Sequence, residues 1–253
     1  MGTPGHGKFE RRARPLLGTI VDIGVRVDGA ACAPIDAAFA EIVALECLLS
    51  RFDAASDIAR FNALPAGASL APSNATLEVV RVAQALFISS SGLFDISTGT
   101  APEGWACRDD QLHKLDSRTV LDLGGIGKGY AIDRAIDRLI EQGATAGWVN
   151  AGGDLRVFGD IELPIALRDE SSGGSRAFAS LADGAFATSR YGAGARSRLA
   201  GAEPGALCRH GAVHVSVAAP TCLWADALTK VVALSGDTSH PLLARHDALA
   251  WLH

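Results

Sequence analysis

The sequence has no apolar run approaching the roughly 18 residues that a membrane-spanning helix needs, so it offers no candidate span. It has no surplus of base either. Lys and Arg number 23 against 28 Asp and Glu, a formal net charge of -5, which argues against a nucleic-acid binder. The five cysteines (Cys32, Cys47, Cys107, Cys208 and Cys222) are odd in number and include no C-x-x-C spacing. Free thiols are therefore expected, not disulfides or a zinc site. Lys8, Arg11, Arg12 and Arg14 are followed by no apolar h-region, so residues 1–15 do not read as a signal peptide; they read as a flexible basic arm. What the chain does have is core-forming material: 48% of its 253 residues are hydrophobic and 20% charged, enough for one large domain or two small ones.

Residues 19–27 alternate, with Val21, Ile23, Val25 and Val27 on one side, the period of a half-buried strand. Residues 34–49 predict a helix opened by Pro34, with Ile35, Phe39, Ile42, Val43, Glu46 and Leu49 along one side. Residues 72–91 predict a second amphipathic helix, with Leu77, Val80 and Phe87 inward and Gly92 at its end. Residues 101–118 read as a polar loop around Trp105. Alternating runs at 163–167, 176–181 and 185–188 predict antiparallel hairpins, and 213–217 a further strand. A last helix opens after Pro220 with Thr221 as candidate N-cap and Leu223, Ala227, Val231 and Leu234 as its buried stripe. Asp226, Thr229 and Lys230, at i, i+3 and i+4, share another of its faces. Helices mixed with mostly antiparallel strands make this an α+β chain.

The chemistry gathers between residues 119 and 154. Thr119, Val120 and Leu121 predict a short strand, four glycines follow between Gly124 and Gly129, and a helix with Ile132, Ala135, Ile136, Leu139 and Ile140 on one face runs to Gly143. A second strand at Trp148 and Val149 leads to Gly152 and Gly153. Strand, glycine turn and helix start suit an anion, because glycine lets the backbone approach and free N–H groups point outward. Lys128 adds a positive charge. The P-loop pattern fails, with Leu123 and Gly129 at its required positions. So does the dinucleotide fingerprint, since Gly125, Gly127 and Gly129 give G-x-G-x-G.

Taken together, Asp122-Leu-Gly-Gly-Ile-Gly-Lys-Gly-Tyr-Ala-Ile-Asp133 and Asn150-Ala-Gly-Gly-Asp154 resemble the signature of the FAD:protein FMN transferase family, the ApbE-type flavin transferases first described as thiamine-biosynthesis lipoproteins. Leu17-Gly18-Thr19 stands where that family has Met-Gly-Thr. Phe52 replaces the Tyr near the adenine, keeping a stacking face and losing the hydroxyl. Leu93-Phe94-Asp95 is similar to [AG]-F-D, Phe186-Ala187-Thr188-Ser189 resembles A-[TV]-S-G-D, and Trp224-Ala-Asp226-Ala-Leu-Thr229-Lys230 resembles [LW]-A-D-A-[LF]-[AST]-T-[AT]. The resemblance implies a single compact domain over residues 16–253. It implies a magnesium-dependent transferase that moves the FMN of FAD onto a Thr or Ser hydroxyl of an acceptor flavoprotein, with release of AMP. It assigns flavin-nucleotide contacts to Leu17, Gly18, Thr19, Phe52, Leu93, Phe94, Asp95, Asp122, Gly124, Gly125, Gly127, Lys128, Asn150, Gly152, Gly153, Asp154, Thr188 and Ser189. Catalysis would fall to Asp226, Thr229 and Lys230, and the metal to Asp226, Thr229 and the main chain at Gly125. Many members are exported and lipid-anchored on a cysteine after a signal sequence. No Cys precedes Cys32, so the cytoplasm is expected, or the periplasm if an export signal has been lost.

The chain departs from the family at chemical positions. Lys230 stands where the metal-binding Thr is expected, with Thr229 one place early. Arg190 and Tyr191 stand where Gly and Asp are expected. A family segment H-x-x-D-P-x-T-G corresponds to residues 198–205, which lack the His and the Asp. These losses give an alternative: a degenerate homologue that binds FAD, or hydrolyses it to FMN and AMP, without modifying a partner. For Lys230 two outcomes are open. It pairs with Asp226 in the metal's place, or it turns aside while Thr229 ligates. The second is expected, with Thr229 or water as ligand, because one ammonium neutralises less phosphate charge than a divalent ion.

Overall fold

The computed structural model describes residues 9–27, 32–168, 173–191 and 214–253. The family segment placed at 198–205 lies outside the described residues.

In chain order the elements are β1 (Phe9–Leu16), β2 (Thr19–Arg26), α1 (Cys32–Leu49), α2 (Asp57–Asn62), β3 (Ser69–Leu70), α3 (Asn74–Ser89), β4 (Trp105–Arg108), β5 (Gln111–Lys114) and α4 (Gly127–Glu141). There follow β6 (Ala146–Ala151), β7 (Asp154–Arg168), β8 (Ser175–Arg190), β9 (His214–Ala219), α5 (Cys222–Ser235), α6 (Pro241–Arg245) and β10 (Leu249–Leu252). Among the described residues β1-β2-β6-β7-β8-β9-β10 form one sheet, antiparallel throughout, and β3-β5-β4 a small second one. The architecture is the expected α+β mixture in one compact domain. No helix among the described residues is long and apolar enough to cross a membrane.

Strand alternation separates two cores. Val21, Ile23, Val25, Val149, Ala187, Val215 and Val217 point to the face covered by helices, where Phe39, Ile42, Ile132, Ile136, Leu139 and Val231 meet them. Each fully buried aliphatic side chain of this kind contributes roughly 1.5–3 kcal/mol. Phe186, Leu155 and Val157 point the other way, into a smaller core with Phe178, Ile165 and Trp251. The helical stripes match the expected ones except at their margins: Val43 and Ile140 are exposed.

Four expectations change. Residues 9–15 are no flexible arm; they lie in an edge strand. Arg11 reaches Asp22 at 2.6 Å, and Arg12 and Arg14 reach Asp36 of α1 at 3.3 and 2.8 Å. The basic charge is thus partnered, and with Pro15 it also blunts the sheet edge. Residues 101–118 contain the β4–β5 hairpin, hidden because its turn has no glycine: Asp109 and Asp110 take positive φ of 49° and 57° instead. Residues 119–121 form no strand and join no ladder. The Asn62 side-chain amide stands in for a neighbouring strand, accepting from Leu121 N–H at 2.7 Å and donating to its carbonyl at 2.9 Å. The short runs at 163–167, 176–181 and 185–188 merge into two long strands. Their pairing shifts register between Val157 and Glu162, opposite Asp183, and again between Ile165 and Ala166, so the break read between 181 and 185 is an irregularity within β8, while the one between 167 and 176 separates β7 from β8.

Candidate functional site

The site grows from the crossing of α4 and α5. A helix leaves its first N–H groups without partners, and these two helices supply them to each other. Asp133 of α4 accepts from the N–H groups of Cys222 and Leu223, which open α5, at 2.8 Å each. It also accepts from Arg156 at 2.8 Å. Thr221 sits at the N-cap position but makes no capping bond with its side chain; the cap comes from 88 positions earlier in the chain. Burial raises the Asp133 carboxyl above its ordinary range, against the pull of Arg156 and the two N–H groups. In return Asp226 of α5 accepts from Gly129 N–H, in the first turn of α4, at 3.2 Å. The helices approach so closely that a Cβ on Gly129 would lie 2.3 Å from the Cys222 carbonyl oxygen.

Asp226 belongs to a cluster of two carboxylates, its own and that of Asp154, and two ammonium groups, Lys128 and Lys230. The second Asp226 oxygen, Oδ1, forms an ion pair with Lys230, whose Nζ also donates to the Asp226 main-chain carbonyl at 2.9 Å and reaches Ser189 Oγ at 3.5 Å. Lys128 Nζ lies 2.7 Å from Asp154 Oδ2, though its angle leaves that oxygen without a well-aligned donor. Burial, together with the charge of Asp226, pushes the Asp154 carboxyl up to about 6, while Lys128 and Lys230 oppose the rise. Burial works against the charge on Lys230, but Asp226 and its neighbours outweigh it and raise the ammonium above its usual range. The balance is the same at Lys128, where Asp154 and Asp226 prevail over burial.

Thr229 faces this cluster, yet its hydroxyl is fully used. It donates to the Asp226 carbonyl at 2.7 Å, accepts from Tyr191 Oη at 3.2 Å and lies 3.0 Å from Ser189 Oγ. A hydroxyl has one donor and two acceptor positions, so none remains for a metal. Ser189 is in the site; Thr188, its neighbour on β8, lies on the opposite face of the sheet, where its hydroxyl is 2.8 Å from Oγ of its cross-strand partner Ser216. Adjacent strand residues face opposite ways, and only one of the two can belong to this cluster.

The glycine turn forms the adjoining wall. Gly124 N–H donates to Asp122 Oδ1 at 2.8 Å and Gly127 N–H to the Leu123 carbonyl at 2.7 Å. The N–H of Gly125 carries no hydrogen bond among the described residues. A Cβ on Gly125 would stand 3.3 Å from Lys230 Cε and 3.7 Å from buried Phe94, so the turn lies directly against the ammonium. Asp122 is held by Arg51 at 3.3 Å, and the Arg51 guanidinium lies 4.6 Å over the ring of Phe52. Phe52, 84% exposed, is the open rim. Asp95 holds its own turn, accepting from Ser97 N–H, Ser97 Oγ and Gly99 N–H at 2.7, 2.8 and 3.0 Å; Leu93, beside Phe94, is half-buried. Beyond Asp154, Gly152 (φ 64°) abuts Thr19: a Cβ there would lie 2.5 Å from Thr19 Oγ1. Gly153 N–H donates to Asn150 Oδ1 at 3.1 Å. Leu17 and Gly18 form the β1–β2 turn, anchored by Leu17 N–H on Glu46 at 2.9 Å.

Sequence reasoning gave no role to Arg51, Tyr191 or Asp133. Tyr191 was detectable in principle, two residues from Ser189 and therefore on the same face. Asp133 carries no local signal for a cap so distant in the chain.

Chemically, two lysines held charged by buried carboxylates, beside a turn without side chains, suit a phosphate-bearing ligand. A magnesium ion fits less well. It needs near-octahedral oxygen donors, whereas Asp226 Oδ1 and the Asp226 carbonyl are occupied by Lys230, and Thr229 is saturated. Among the described residues no three His, Cys, Asp or Glu side chains gather as metal ligands.

Comparison with known proteins bears on the family and the fold. The family described as ApbE family matches residues 17–119 and 103–252. The fold is similar to the apo flavinyl transferase ApbE of Pseudomonas stutzeri, at 22% identity and TM-score 0.81, covering 97% of this chain and 91% of that one. It is also similar to the flavin transferase ApbE of Vibrio cholerae, at 19% identity and TM-score 0.82, covering 97% and 93%. For the ApbE protein of Thermotoga maritima the figures are 20% identity, TM-score 0.80, and 97% and 94%. No curated protein matches the chain. The matched residues, which span nearly the whole chain, lead to one statement: the chain belongs to the ApbE family.

Proposed function

We propose that the chain is an FAD:protein FMN transferase, moving the FMN of FAD onto a Thr or Ser hydroxyl of an acceptor protein and releasing AMP. The observation that carries this is the placement of Lys128 and Lys230, both on buried carboxylates, with Lys230 against the bare backbone of Gly125. In this reading the pyrophosphate of FAD lies along the 124–127 turn, where Gly125 N–H donates to it and the two ammonium groups neutralise it. Phe52, flanked by Arg51, offers an exposed aromatic face at the rim for the adenine. The acceptor hydroxyl oxygen forms a bond to the FMN phosphorus. The bridging P–O bond breaks, AMP departs with its electron pair, and the hydroxyl proton passes to solvent. Such transfers depend mainly on positioning and charge neutralisation. Family membership supports the reading, as do the flavin-transferase names of two relatives. Magnesium, expected from the resemblance, is left out because the oxygens it would use are engaged.

The test is AMP release from FAD, followed by chromatography, with and without an acceptor protein carrying a D-x-x-T-G-A-T segment. Release that requires the acceptor is the expected result. Release of AMP and free FMN without acceptor dependence would assign the chain to FAD hydrolysis instead.

A further inference from the structure

Lys230 occupies a position that a cation of higher charge would contest. Its side chain is 14% exposed and that of Asp226 2%. Two of its three N–H donors are committed at close range, to Asp226 Oδ1 and to the Asp226 carbonyl at 2.9 Å. The third reaches Ser189 Oγ only at 3.5 Å, the outer limit of a hydrogen bond. An ammonium has three donors and no acceptor, so this third one is available to a ligand oxygen beside Gly125. The other Asp226 oxygen is held by Gly129 N–H, and the Thr229 hydroxyl is closed by Tyr191, Ser189 and the Asp226 carbonyl. To seat a divalent ion on Asp226, Lys230 would have to leave both oxygens and then stand as a like charge beside the ion. The four groups Asp226, Asp154, Lys128 and Lys230 already pair within the cluster, so what faces a pyrophosphate is the oriented third donor of Lys230 beside Gly125 and not a vacant metal position.

We propose that Lys230 replaces the divalent cation of this site: its ammonium is the electrostatic partner of the FAD phosphates, and flavin binding needs no metal. The proposal rests on the flavin reading above and goes beyond it by naming the cation. The corollary is that the i, i+4 pair on α5 is part of the ligand site and not a surface ion pair of the ordinary weak kind.

The test is FAD affinity, followed by the change in flavin fluorescence, in EDTA and again with excess magnesium, alongside calorimetric titration of the apoprotein with Mn2+. The wild-type protein is expected to bind FAD equally under both conditions, within about twofold, and to give no Mn2+ binding isotherm. Lys230→Thr removes the ammonium and leaves an oxygen that a divalent ion accepts. It is expected to lose at least about tenfold in FAD affinity in EDTA, to regain it with magnesium, and to bind Mn2+. A wild-type affinity that falls about tenfold or more in EDTA overturns the proposal while leaving the flavin reading intact. FAD that binds under neither condition overturns the flavin reading, and the proposal with it. Wild-type data alone decide between these outcomes if Lys230→Thr fails to fold, which circular dichroism reports.

Discussion

Asp133 and Asp226 cap each other's helices: Asp133 on α4 closes the first turn of α5, and Asp226 on α5 accepts from the first turn of α4. The crossing is therefore fixed by the same side chains that present the site. Each aspartate accepts from first-turn N–H groups that the other helix leaves without partners of its own.

Asp133→Ala removes both capping hydrogen bonds of α5 and the partner of Arg156, leaving a guanidinium that is largely covered. A loss of roughly 2–4 kcal/mol is expected, from the cap and the broken buried pair together. Urea denaturation checks this, and a midpoint equal to wild type would contradict the cap.

At Gly129 an added methyl group has nowhere to go, since its carbon would lie 2.3 Å from the Cys222 carbonyl oxygen. Gly129→Ala is expected to force α4 and α5 apart and cost about 1–3 kcal/mol, despite the better helix propensity of alanine. A gain in melting temperature would show that the helices do not meet as described.

Gly125→Val tests the turn itself. The position is half exposed and not helical, so folding should survive, while the side chain crowds Lys230 and the path of the phosphates. FAD affinity is expected to fall at least about tenfold, measured by fluorescence titration. Unchanged affinity in a folded variant would remove the turn from the binding site.

The buried carboxyl of Asp154 gives a pH signature. Its folded value, about 6, lies above its unfolded one, so the folded state holds the proton more tightly. Its contribution to stability is greatest below the unfolded value near 3.8 and is lost as pH rises through about 6. The loss is on the order of 1–3 kcal/mol. Carboxyl-detected NMR titration of the ligand-free protein should show an Asp154 midpoint near 6, and one below 4 would contradict the burial argument.

Much of this was legible in the sequence because it is local. The alternation at Val21, Ile23 and Val25 gave β2 its buried face, and Gly143, at φ 86°, ends the glycine-led helix as expected. The i, i+4 spacing of Asp226 and Lys230 makes their pairing one of two outcomes the sequence allows, although charge neutralisation alone favours the other. What escaped is what strand register and distant contacts decide. Thr188 and Ser189 look alike in a motif, yet the pleat sends only Ser189 to the site. The β4–β5 turn uses aspartates where glycine is the usual signal. The basic residues before Leu16 look like a loose arm until Asp22 and Asp36 are brought opposite them.

The most direct test of the account is the intact mass of an acceptor protein after incubation with this chain and FAD, compared with the same acceptor in which the D-x-x-T-G-A-T threonine is changed to valine. The account predicts a gain equal to one FMN phosphoester on the threonine form alone, with AMP released in equal amount. An acceptor of unchanged mass, with FAD bound to the chain throughout, would contradict it.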